Sequence, residues 1–248
     1  MKATVKIQQE LYTIDLSKPL DISLALRNDK SNPNAWYLDA PMIEPVQIDN
    51  YIAKVSEGAS INFNTITFNP HAHGTHTECV GHIAEKVYSV NEQLQRYFFT
   101  VEVISVAPER LGEDYIIPVT EIRSLLKGKH PEAVIIRTLP NTSDKRSKQY
   151  SHTNWPYLEE AAAQYLADLG VIHLLIDLPS VDKEKDEGAL LAHKAFWQFP
   201  EATRMQATIT EFIFVDNKIK DGSYLLNLQV APFENDAAPS RPVLYKFE

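Results

Sequence analysis

The segment from His71 to His82 places the strongest constraint on how this chain can fold. It contains four of the eight histidines of the chain, one glutamate and the single cysteine. Neutral imidazoles and carboxylates are the side chains with which proteins hold Zn²⁺, Mn²⁺ or Fe²⁺. If the segment is extended, His76 and Glu78 project from the same face, because side chains alternate along a strand. The fold must then bring further ligands to this face, since one ion usually takes three or four.

The surroundings of this segment favour a functional site over a solvated loop in which histidines cluster by chance. In the run that precedes it, apolar residues stand two apart at Ile61 and Phe63 and again at Ile66 and Phe68. Such alternation is typical of a strand leading into the segment. Gly74 predicts a sharp turn or a close approach of the backbone to a ligand, because it has no side chain. We therefore predict a metal or catalytic site.

Length, charge and cysteine content narrow the class of protein. A chain of 248 residues is expected to form one domain, residues 1–248, because single cores persist to about 250–300 residues. The formal net charge of −9 argues against a nucleic-acid partner, which needs a basic surface. The single cysteine cannot form an internal disulfide, and neither a secretory apolar region nor a run of about 18 apolar residues occurs. These features predict a cytoplasmic protein with no membrane partner.

The apolar pattern predicts a mixed α/β fold in which strands are in the majority. Short β-prone or alternating runs predict strands at residues 4–8, 11–16, 98–106, 133–137, 171–178, 207–215 and 223–230. Polar runs predict loops at residues 28–35, 140–154 and 182–187. The loop at 140–154 has the length that is typical of a lid over a site.

Two helices are predicted in the second half of the chain. The longer one covers residues 156–169, with an apolar residue at every fourth position. Asn154 is its expected cap, Pro156 suits its first turn, and Gly170 ends it. A shorter helix is predicted over residues 188–196. Both connect to apolar runs that read as buried strands, which is the pattern of an α/β domain.

Two residues far from the histidine segment are candidates for the remaining ligands. His193 belongs to the shorter predicted helix, where a structural histidine is the alternative interpretation. Glu211 interrupts an apolar strand, and an isolated carboxylate in such a place costs several kcal/mol even after relaxation. It must therefore face solvent, pair with a cation or bind a metal, and the sequence leaves these alternatives open.

The ordered motifs resemble those of the metal-dependent cyclase and bacterial kynurenine formamidase-like hydrolases. That family carries the pattern His-x-Gly-Thr-His-x-Asp-x-Pro-x-His. This chain matches it with Gly74, Thr75 and His76, with an acid two residues later at Glu78, and with His82 six residues after His76. The match is specific because the residue types occur in register rather than singly.

Two further segments extend the resemblance over nearly the whole chain. Residues 15–20 read Asp-Leu-Ser-Lys-Pro-Leu and are similar to the opening of the family sequences. Residues 170–182 begin with Gly-Val and end with Ile-Asp-Leu-Pro-Ser-Val-Asp, which is similar to a later family segment. His193 and Glu211 then stand where the family has a downstream histidine and glutamate.

The resemblance implies a swivelling β/β/α-type fold, a homodimer or higher homo-oligomer, and one or two divalent ions per chain. Zinc is the first expectation and manganese the second, because carboxylates are hard ligands. The family's ligand set corresponds here to an early histidine followed by His76, Glu78, His193 and Glu211. His82 corresponds to the acid/base residue or to a ligand of a second ion.

Three positions depart from the family pattern. Glu78 stands where the family has aspartate, and Val80 stands where it has proline. The first histidine of the pattern aligns with Ala72, although His71 and His73 flank that position. We expect His71 to be the ligand, brought in by one residue of backbone slack, and His73 is the alternative.

The expected activity is hydrolysis of an amide, formamide, lactam or ester of a small aromatic molecule, as by an arylformamidase. A divalent ion activates water for such a reaction, and His82 would move the proton. Trp36, Tyr37 and Trp155 are candidate walls of the substrate site, with core or interface packing as the alternative. A metal-dependent cyclase or dehydratase and a non-catalytic metal-binding or ligand-binding protein are the other functions that the sequence allows.

Overall fold

The computed structural model describes residues 1–7 and 9–248, and strands dominate it. In chain order the strands are β1 (Lys2–Ile7), β2 (Glu10–Asp15), β3 (Leu20–Asp21), β4 (Met42–Pro45), β5 (Gln47–Ile48), β6 (Tyr51–Ile52), β7 (Asn64–Thr67), β8 (His76–Glu78), β9 (Phe98–Val106), β10 (Glu109–Leu111), β11 (Asp114–Ile117), β12 (Ala133–Thr138), β13 (Tyr157–Leu158), β14 (His173–Ile176), β15 (Thr208–Glu211), β16 (Gly222–Asn227), β17 (Ala237–Pro239) and β18 (Val243–Lys246).

The helices are short. The α-helices are α1 (Pro70–His73), α2 (Val90–Gln93), α3 (Val119–Leu125), α4 (Glu160–Asp168) and α5 (Leu191–Trp197), and the 3₁₀ helices are Val55–Glu57, Val80–His82 and Ser143–Arg146. The prediction of a mixed α/β fold with strands in the majority is confirmed. No helix within the described residues has the length and apolar character needed to cross a lipid bilayer.

One sheet of nine of these strands organises the molecule, in the order β17-β8-β15-β14-β12-β9-β16-β18-β3. The four central strands, β9, β12, β14 and β15, run parallel to one another. All residues of β12, β14 and β15 are buried, as expected for parallel strands that are covered on both faces. Short strands β8 and β17 extend this sheet at one edge, where both are antiparallel to their neighbours.

Alternate residues of the central strands build two separate cores. Val134 and Ile136 face a core that includes residues of α3, α4 and α5, whereas Ile135 faces a core shared with β16 and β18. The two-residue period of a strand explains this division, because neighbouring side chains leave the sheet on opposite sides. The parallel strands are thereby held rigidly between two apolar layers, and their carboxyl ends present a fixed edge.

The predicted helix over residues 156–169 is wrong at its start. Tyr157 and Leu158 form strand β13, which pairs in parallel with β11, and the helix begins only at Glu160. Asn154 has a left-handed backbone (φ 46°) and does not cap the helix. Gly170 does stand just beyond its end, with φ 88°, a conformation that favours glycine.

Six of the seven predicted strands differ in their bounds; among them, 11–16 is Glu10–Asp15 and 171–178 is His173–Ile176. The strand over 207–215 ends at Glu211, because Phe212 turns into the left-handed region (φ 54°) and its N–H donates to the carbonyl of Leu178. The strand over 223–230 ends at Asn227. The strand over 4–8 is β1, and Gln8 lies outside the described residues.

The loop at 140–154, whose length is typical of a lid, is anchored to the body of the protein at two points. Lys145 reaches into the protein and binds the buried Asp177 at 2.8 Å. Tyr150 is buried, and its ring lies 5.7 Å from that of Phe212. These contacts arise from parts of the chain that are distant in sequence, which is why the polar composition of the loop did not reveal them.

Residues 42–67 form an arm that carries exposed apolar side chains. The arm consists of the paired strands β4 and β7 and the paired strands β5 and β6. Within this fully described segment Ala53 is the one buried residue. Its exposed large apolar side chains are Met42, Ile48, Tyr51, Val55, Ile61, Phe63 and Ile66. Isolated two-stranded ribbons are marginally stable in water.

Candidate metal centre

The register of the sheet edge brings His76, Glu78 and Glu211 to one face. His76 is paired directly with Glu211 across β8 and β15, and Glu78 is paired with Ile209. Directly paired residues point to the same side of a sheet. His76 Nε2 consequently lies 3.4 Å from Glu211 Oε2. All three side chains are buried, so the sheet edge concentrates two carboxylates and an imidazole away from water.

Helix α1 separates the two alternative early histidines. The expected backbone slack before Gly74 is a helical turn, and helical residues two apart point roughly 200° away from each other. His71 faces the cluster, with Nδ1 3.1 Å from Glu78 Oε2. His73 faces away, because its Nδ1 accepts from the Asn69 N–H at 2.8 Å and its Nε2 lies 2.9 Å from the Asp39 carbonyl oxygen. The structure thus places His71 in the cluster and His73 outside it.

His193 enters the cluster from helix α5. Its Nε2 lies 2.9 Å from Glu78 Oε1 and 3.8 Å from Glu211 Oε1. The other ring nitrogen, Nδ1, is 2.5 Å from Asp182 Oδ2. Asp182 also accepts from the N–H of Ala192 at the start of α5. This carboxylate therefore orients both the helix and the imidazole that the helix carries.

The imidazoles of His71, His76 and His193 share one arrangement. In each ring the nitrogen remote from the cluster faces an acceptor: Asp236 Oδ2 at 2.8 Å, the Gly74 carbonyl oxygen at 3.0 Å and Asp182 Oδ2, respectively. Such contacts commonly hold the rings of metal-binding histidines. The nitrogens left to face the cluster are His71 Nδ1, His76 Nε2 and His193 Nε2.

Gly74 does not make the sharp turn that was one of its two predicted roles. Its backbone is extended (φ 160°, ψ −170°), a conformation that any residue adopts, so the predicted sharp turn is absent at this described residue. Gly81 is the glycine that the fold requires, because a Cβ there would lie 2.2 Å from the Tyr88 carbonyl oxygen. This close approach fixes the 3₁₀ helix Val80–His82 against the following segment.

His82 stands at the rim of the cluster and is its most exposed member, with 32% of its side chain exposed against 20% for His71. Its ring is stacked on that of His71, with centroids 4.3 Å apart. Its Nε2 lies 3.9 Å from Glu78 Oε2, and its Nδ1 lies 3.4 Å from Asp236 Oδ2. An imidazole so placed has one nitrogen toward the buried acids and remains accessible to a molecule that enters from outside.

Asp236 is the member of the group that sequence reasoning missed. It directly precedes β17, whose pairing with β8 sets Ala237 opposite Glu78. No spacing signal connects it with the histidine segment, because it lies 165 residues from His71. The acidic run Glu234-Asn235-Asp236 next to a short edge strand is the one local feature that could have drawn attention to it.

The donor set fits a divalent cation. Two buried atoms at its centre, His76 Nε2 and Glu78 Oε2, have polar neighbours at 3.4 Å and 3.1 Å but make no hydrogen bond of acceptable geometry with any described residue. Buried polar atoms are normally satisfied, and here a carboxylate oxygen and an imidazole nitrogen lie within reach of the same point. Imidazole and carboxylate groups close enough to share an ion are His71, His76 and Glu78, and likewise Glu78, His82 and His193.

Electrostatics point in the same direction. Burial favours the neutral form of Glu78, but the charge of His82 and the bond from His193 hold the pKa of this carboxyl well below its usual range. Burial likewise opposes protonation of His71, yet Asp236 and Glu78 raise the pKa of His71 to about 10. Glu78 therefore remains ionised and demands positive charge, which protonated imidazoles or a bound cation can supply.

A cavity of about 300 Å³ opens onto this cluster. Its polar floor includes His71, His82, His193 and Glu211, and its apolar wall includes Trp36 and Leu190. Both wall residues have a left-handed backbone, with φ of 61° and 49°. Strained backbone of this kind is often found at functional sites.

Of the three aromatic residues expected to form walls, only Trp36 lines the described cavity. Trp155 is buried in the core, where its Nε1 donates to the Asp182 carbonyl and its ring packs edge-on behind Trp36 at 5.1 Å. Tyr37 points outward, and its hydroxyl donates to Glu184 at 2.8 Å. Trp155 supports the wall and Tyr37 ties it to a neighbouring loop, so neither forms the cavity surface.

Two other features are chemically less suited to be the site. A more open cleft of about 750 Å³ lies between β1–β2 and the β9 region and has one histidine, His130, in its lining. Cys79 is fully buried, and burial raises the pKa of its thiol to about 11. A thiol at that pKa is a poor nucleophile at neutral pH.

Sequence comparison relates most of the chain to one group of proteins. The family model described as "Putative cyclase" matches residues 14–183. Kynurenine formamidase of Bacillus anthracis is 27% identical over 236 residues, which cover 92% of this chain and 97% of that protein.

Solved structures with the same fold extend the similarity. A "predicted metal-dependent hydrolase" from Bacillus stearothermophilus is similar with a TM-score of 0.64 and 17% identity, over 92% of this chain and 98% of that one. Isatin hydrolase A from Labrenzia aggregata, bound to benzyl benzoate, gives a TM-score of 0.66 and 13% identity, over 93% and 94% of the two chains. At these identities the likeness concerns the fold.

Proposed function

The chain belongs to the cyclase family, and from that premise we propose that it is a metal-dependent hydrolase of a small aromatic amide, formamide, lactam or ester. The observation that carries the proposal is the pair of orphaned atoms, His76 Nε2 and Glu78 Oε2, buried beside the cavity. The relatives named kynurenine formamidase and isatin hydrolase support cleavage of a bond between carbon and nitrogen. An ester is the less favoured substrate.

Five side chains would hold the ion, namely the two that carry the orphaned atoms and three that lie next to them: His76, Glu78, His71, His193 and Glu211. We propose zinc as the ion, because three of the five ligands are imidazoles, and manganese as the alternative. When bound, a divalent ion supplies water of lowered pKa and positive charge next to a carbonyl oxygen. The residues of the chain supply everything else, namely ligand geometry, proton transfer and the shape of the cavity.

His82 is the proposed acid/base residue. Its Nε2 faces the cluster, and the ring is accessible from the cavity. This atom would accept a proton from the attacking water and donate it to the leaving nitrogen or oxygen, so that the imidazole ends as it began. Hydrolysis then adds one oxygen atom from water to the carbonyl carbon and one proton to the leaving group.

Trp36 and Leu190 would orient the substrate. The Trp36 indole is held edge-on by Trp155 and offers a flat apolar surface for an aromatic ring. A cavity of about 300 Å³ has the size that small-molecule sites show at their lower end, roughly 300 Å³. These features favour a compact, one-ring or two-ring molecule.

The test combines metal analysis with a substrate screen. Protein grown in medium with zinc and manganese should contain at least one equivalent of one of them. The loaded protein should then hydrolyse a member of a panel of N-formyl aromatic amines, lactams and aryl esters. Reaction in ¹⁸O-labelled water should place the label in the carboxylic product. A product that forms with loss of water or without the label would instead identify a cyclase or dehydratase. Absence of metal after reconstitution would contradict the proposal.

We also propose that two copies of the chain pair through the arm of residues 42–67. Its seven exposed apolar side chains are each about half exposed, so together they offer an area on the order of 700 Å², close to the roughly 800 Å² that each partner of a stable interface buries. Closed twofold dimers are the commonest symmetric assembly.

Light scattering should give a dimer for the native chain and a monomer for Phe63→Ser/Ile66→Ser. Val87→Ser, which changes an exposed residue outside the arm, should stay dimeric, and a monomeric native chain would refute the pairing.

A further inference from the structure

One carboxylate oxygen lies against two imidazoles at the rim of the cluster. Asp236 Oδ2 lies 2.8 Å from His71 Nε2 and 3.4 Å from His82 Nδ1. The two rings are stacked with an interplanar angle of 28°, so the nitrogens that face Asp236 lie side by side. A carboxylate oxygen has two lone pairs and can accept from both rings.

The nitrogens that do not face Asp236 face the buried acid instead. His71 Nδ1 and His82 Nε2 lie 3.1 Å and 3.9 Å from the same atom, Glu78 Oε2. An ionised carboxylate accepts hydrogen bonds and cannot donate them. When an ion occupies the Glu78 side of the cluster, a proton on His71 Nε2 and on His82 Nδ1 satisfies Asp236 and leaves the lone pairs of His71 Nδ1 and His82 Nε2 directed at the cluster and the cavity.

The backbone holds Asp236 at a fixed distance from the ligand strand. Its carbonyl accepts from the Cys79 N–H at 3.0 Å, and the next residue, Ala237, is paired with Glu78. The side chain is 24% exposed, and among the ion pairs of the described residues its partners are the two imidazoles alone. Asp236 is thus built into the sheet edge and directed at His71 and His82.

We propose that Asp236 is a positioning residue that sets the tautomers of His71 and His82 together. It holds His71 with Nδ1 free to bind the ion and His82 with Nε2 free to take the proton. One carboxylate thereby prepares both the ring that binds the ion and the ring that transfers the proton. The inference rests on the proposed function for its catalytic part, whereas its structural part concerns the two rings alone. Asp182 does the equivalent for His193 but contacts neither His71 nor His82.

Three variants test this role. Asp236→Ala removes the acceptor, Asp236→Asn keeps an uncharged acceptor oxygen of the same reach, and Asp182→Asn is the matched control on the other carboxylate–histidine pair. Each variant is purified, checked for native circular dichroism and loaded with Zn²⁺. Zinc affinity is measured by competition with a chromophoric chelator. The ring tautomers are read from ¹⁵N–¹H spectra of histidine-labelled protein, with the His82 signals assigned through His82→Gln.

Asp236→Ala should weaken zinc binding by about 10–100-fold, the usual effect of losing such a partner, and should abolish the single Nδ1–H tautomer of His82. Asp236→Asn should retain that tautomer with a smaller loss of affinity. Asp182→Asn should weaken zinc binding and leave the His82 signals unchanged. With a substrate in hand, kcat of zinc-saturated Asp236→Ala should fall about 10²-fold with little change in KM.

Two results would overturn the inference. One is an Asp236→Ala protein in which His82 keeps the native tautomer. The other is an Asp236→Asn protein as impaired as Asp236→Ala, since that pattern would show that negative charge, rather than the accepting oxygen, is what matters. The tautomer and the zinc affinity are measured without substrate. The test of Asp236 as a positioning residue therefore remains valid even if the proposed hydrolase activity is not found. If Asp236→Ala does not fold, Asp236→Asn together with Asp236→Ser provides the same comparison.

Discussion

Two clusters of buried polar side chains lie at the carboxyl ends of neighbouring parallel strands, and they differ in how completely their atoms are satisfied. Asp177 follows β14 and accepts from the Thr138 N–H, the Thr138 hydroxyl and the Lys145 ammonium group. Lys145 gives its two other protons to the Thr138 carbonyl and hydroxyl oxygens. Glu211 ends β15 and belongs to a cluster in which His76 Nε2 and Glu78 Oε2 make no hydrogen bond of acceptable geometry with any described residue.

This difference in hydrogen bonding indicates a different role for each cluster. The Asp177–Lys145 cluster carries its own cation and closes its own hydrogen bonds, so it stabilises the fold without any ligand. The candidate metal cluster holds two buried carboxylates, Glu78 and Glu211, and neither is paired with a lysine or arginine in the described part of the chain. Burying charge without a counter-charge is costly. The second cluster is therefore complete only with protonated imidazoles or with a bound cation.

The largest effects are expected when the proposed ligands are removed from the candidate metal cluster. His76→Ala and Glu78→Ala should lose stoichiometric metal, and activity should fall by more than about 10²-fold, since even residues outside the ligand set are worth about 10–100-fold. His82→Ala should keep most of the metal and lose turnover by about 10²–10⁴-fold. Elemental analysis and assays with excess metal distinguish these outcomes. Loss of metal from His82→Ala as readily as from His76→Ala would make His82 a ligand.

The choice between the early histidines is part of the same experiment. His71→Ala should lower metal content, whereas His73→Ala should not, because His73 is bonded to Asn69 and Asp39 away from the cluster. Equal losses from the two variants would reassign the ligand.

Breaking the self-sufficient cluster should instead cost stability without costing metal. Lys145→Met leaves the Asp177 carboxylate buried and unpaired, and we expect the free energy of unfolding to fall by about 3–5 kcal/mol. Lys145→Met/Asp177→Asn should recover part of that loss, because the neutral amide keeps an acceptor for Thr138. Urea unfolding of metal-loaded protein measures both values. A metal content below that of the native chain in either variant would contradict the separation of the two clusters.

Removal of the ion by a chelator tests how much the ion itself stabilises the candidate metal cluster. Removing an ion present at 100 times its Kd should lower the free energy of unfolding by about 2.7 kcal/mol. Glu211→Gln should bind the ion more weakly and should lose less on chelation, because a neutral amide is cheaper to bury unpaired than a charge. Thermal melts with and without chelator give the two shifts. Identical shifts with normal metal binding would show that Glu211 is not a ligand.

The smallest expected effect concerns a buried imidazole outside both clusters. His173 begins β14, bonds Thr208 at 2.7 Å and packs on Phe99, and burial, aided by Arg96 and Arg204, lowers its pKa to about 3. The unfolded chain, with a pKa near 6.5, binds a proton that the folded chain does not. Stability from His173 is therefore full above pH 6.5 and is lost as pH falls toward 3, by about 2 kcal/mol at pH 5.

Urea unfolding at pH 7 and pH 5 isolates this contribution when the native chain is compared with His173→Asn. The variant should lose about 2 kcal/mol less than the native chain over this range. The metal cluster also titrates, but its contribution is common to both proteins and cancels. An equal loss in the two proteins would mean that His173 is protonated in the folded state.

The elements that sequence patterns predicted well are those whose signal is local. The strand at 98–106 has the observed bounds, and the apolar runs at 133–137 and 171–178 correspond to β12 and β14. The helix over 156–169 failed at its start because Tyr157 pairs with Ile116, forty-one residues earlier. A propensity for helix cannot reveal a partner strand, so tertiary pairing overrode it.

The candidate site divides in the same way. The two-residue spacing of His76 and Glu78 determined that they share a face wherever this stretch is extended, and the ordered motif connected them with His193 and Glu211. The sequence favoured His71 over His73 only weakly, because strand parity treats them alike, and no spacing in it connected Asp236 with the histidine segment. Only the tertiary structure decided these points: a helical turn separates the two histidines by rotation, and β17 brings Asp236 beside His71 and His82 from the far end of the chain. The spacing of residues in the sequence determines which side chains share a face of one strand or helix. Which strands and helices meet at the site depends on the pairing of the complete sheet, and that pairing is set by contacts between distant parts of the chain.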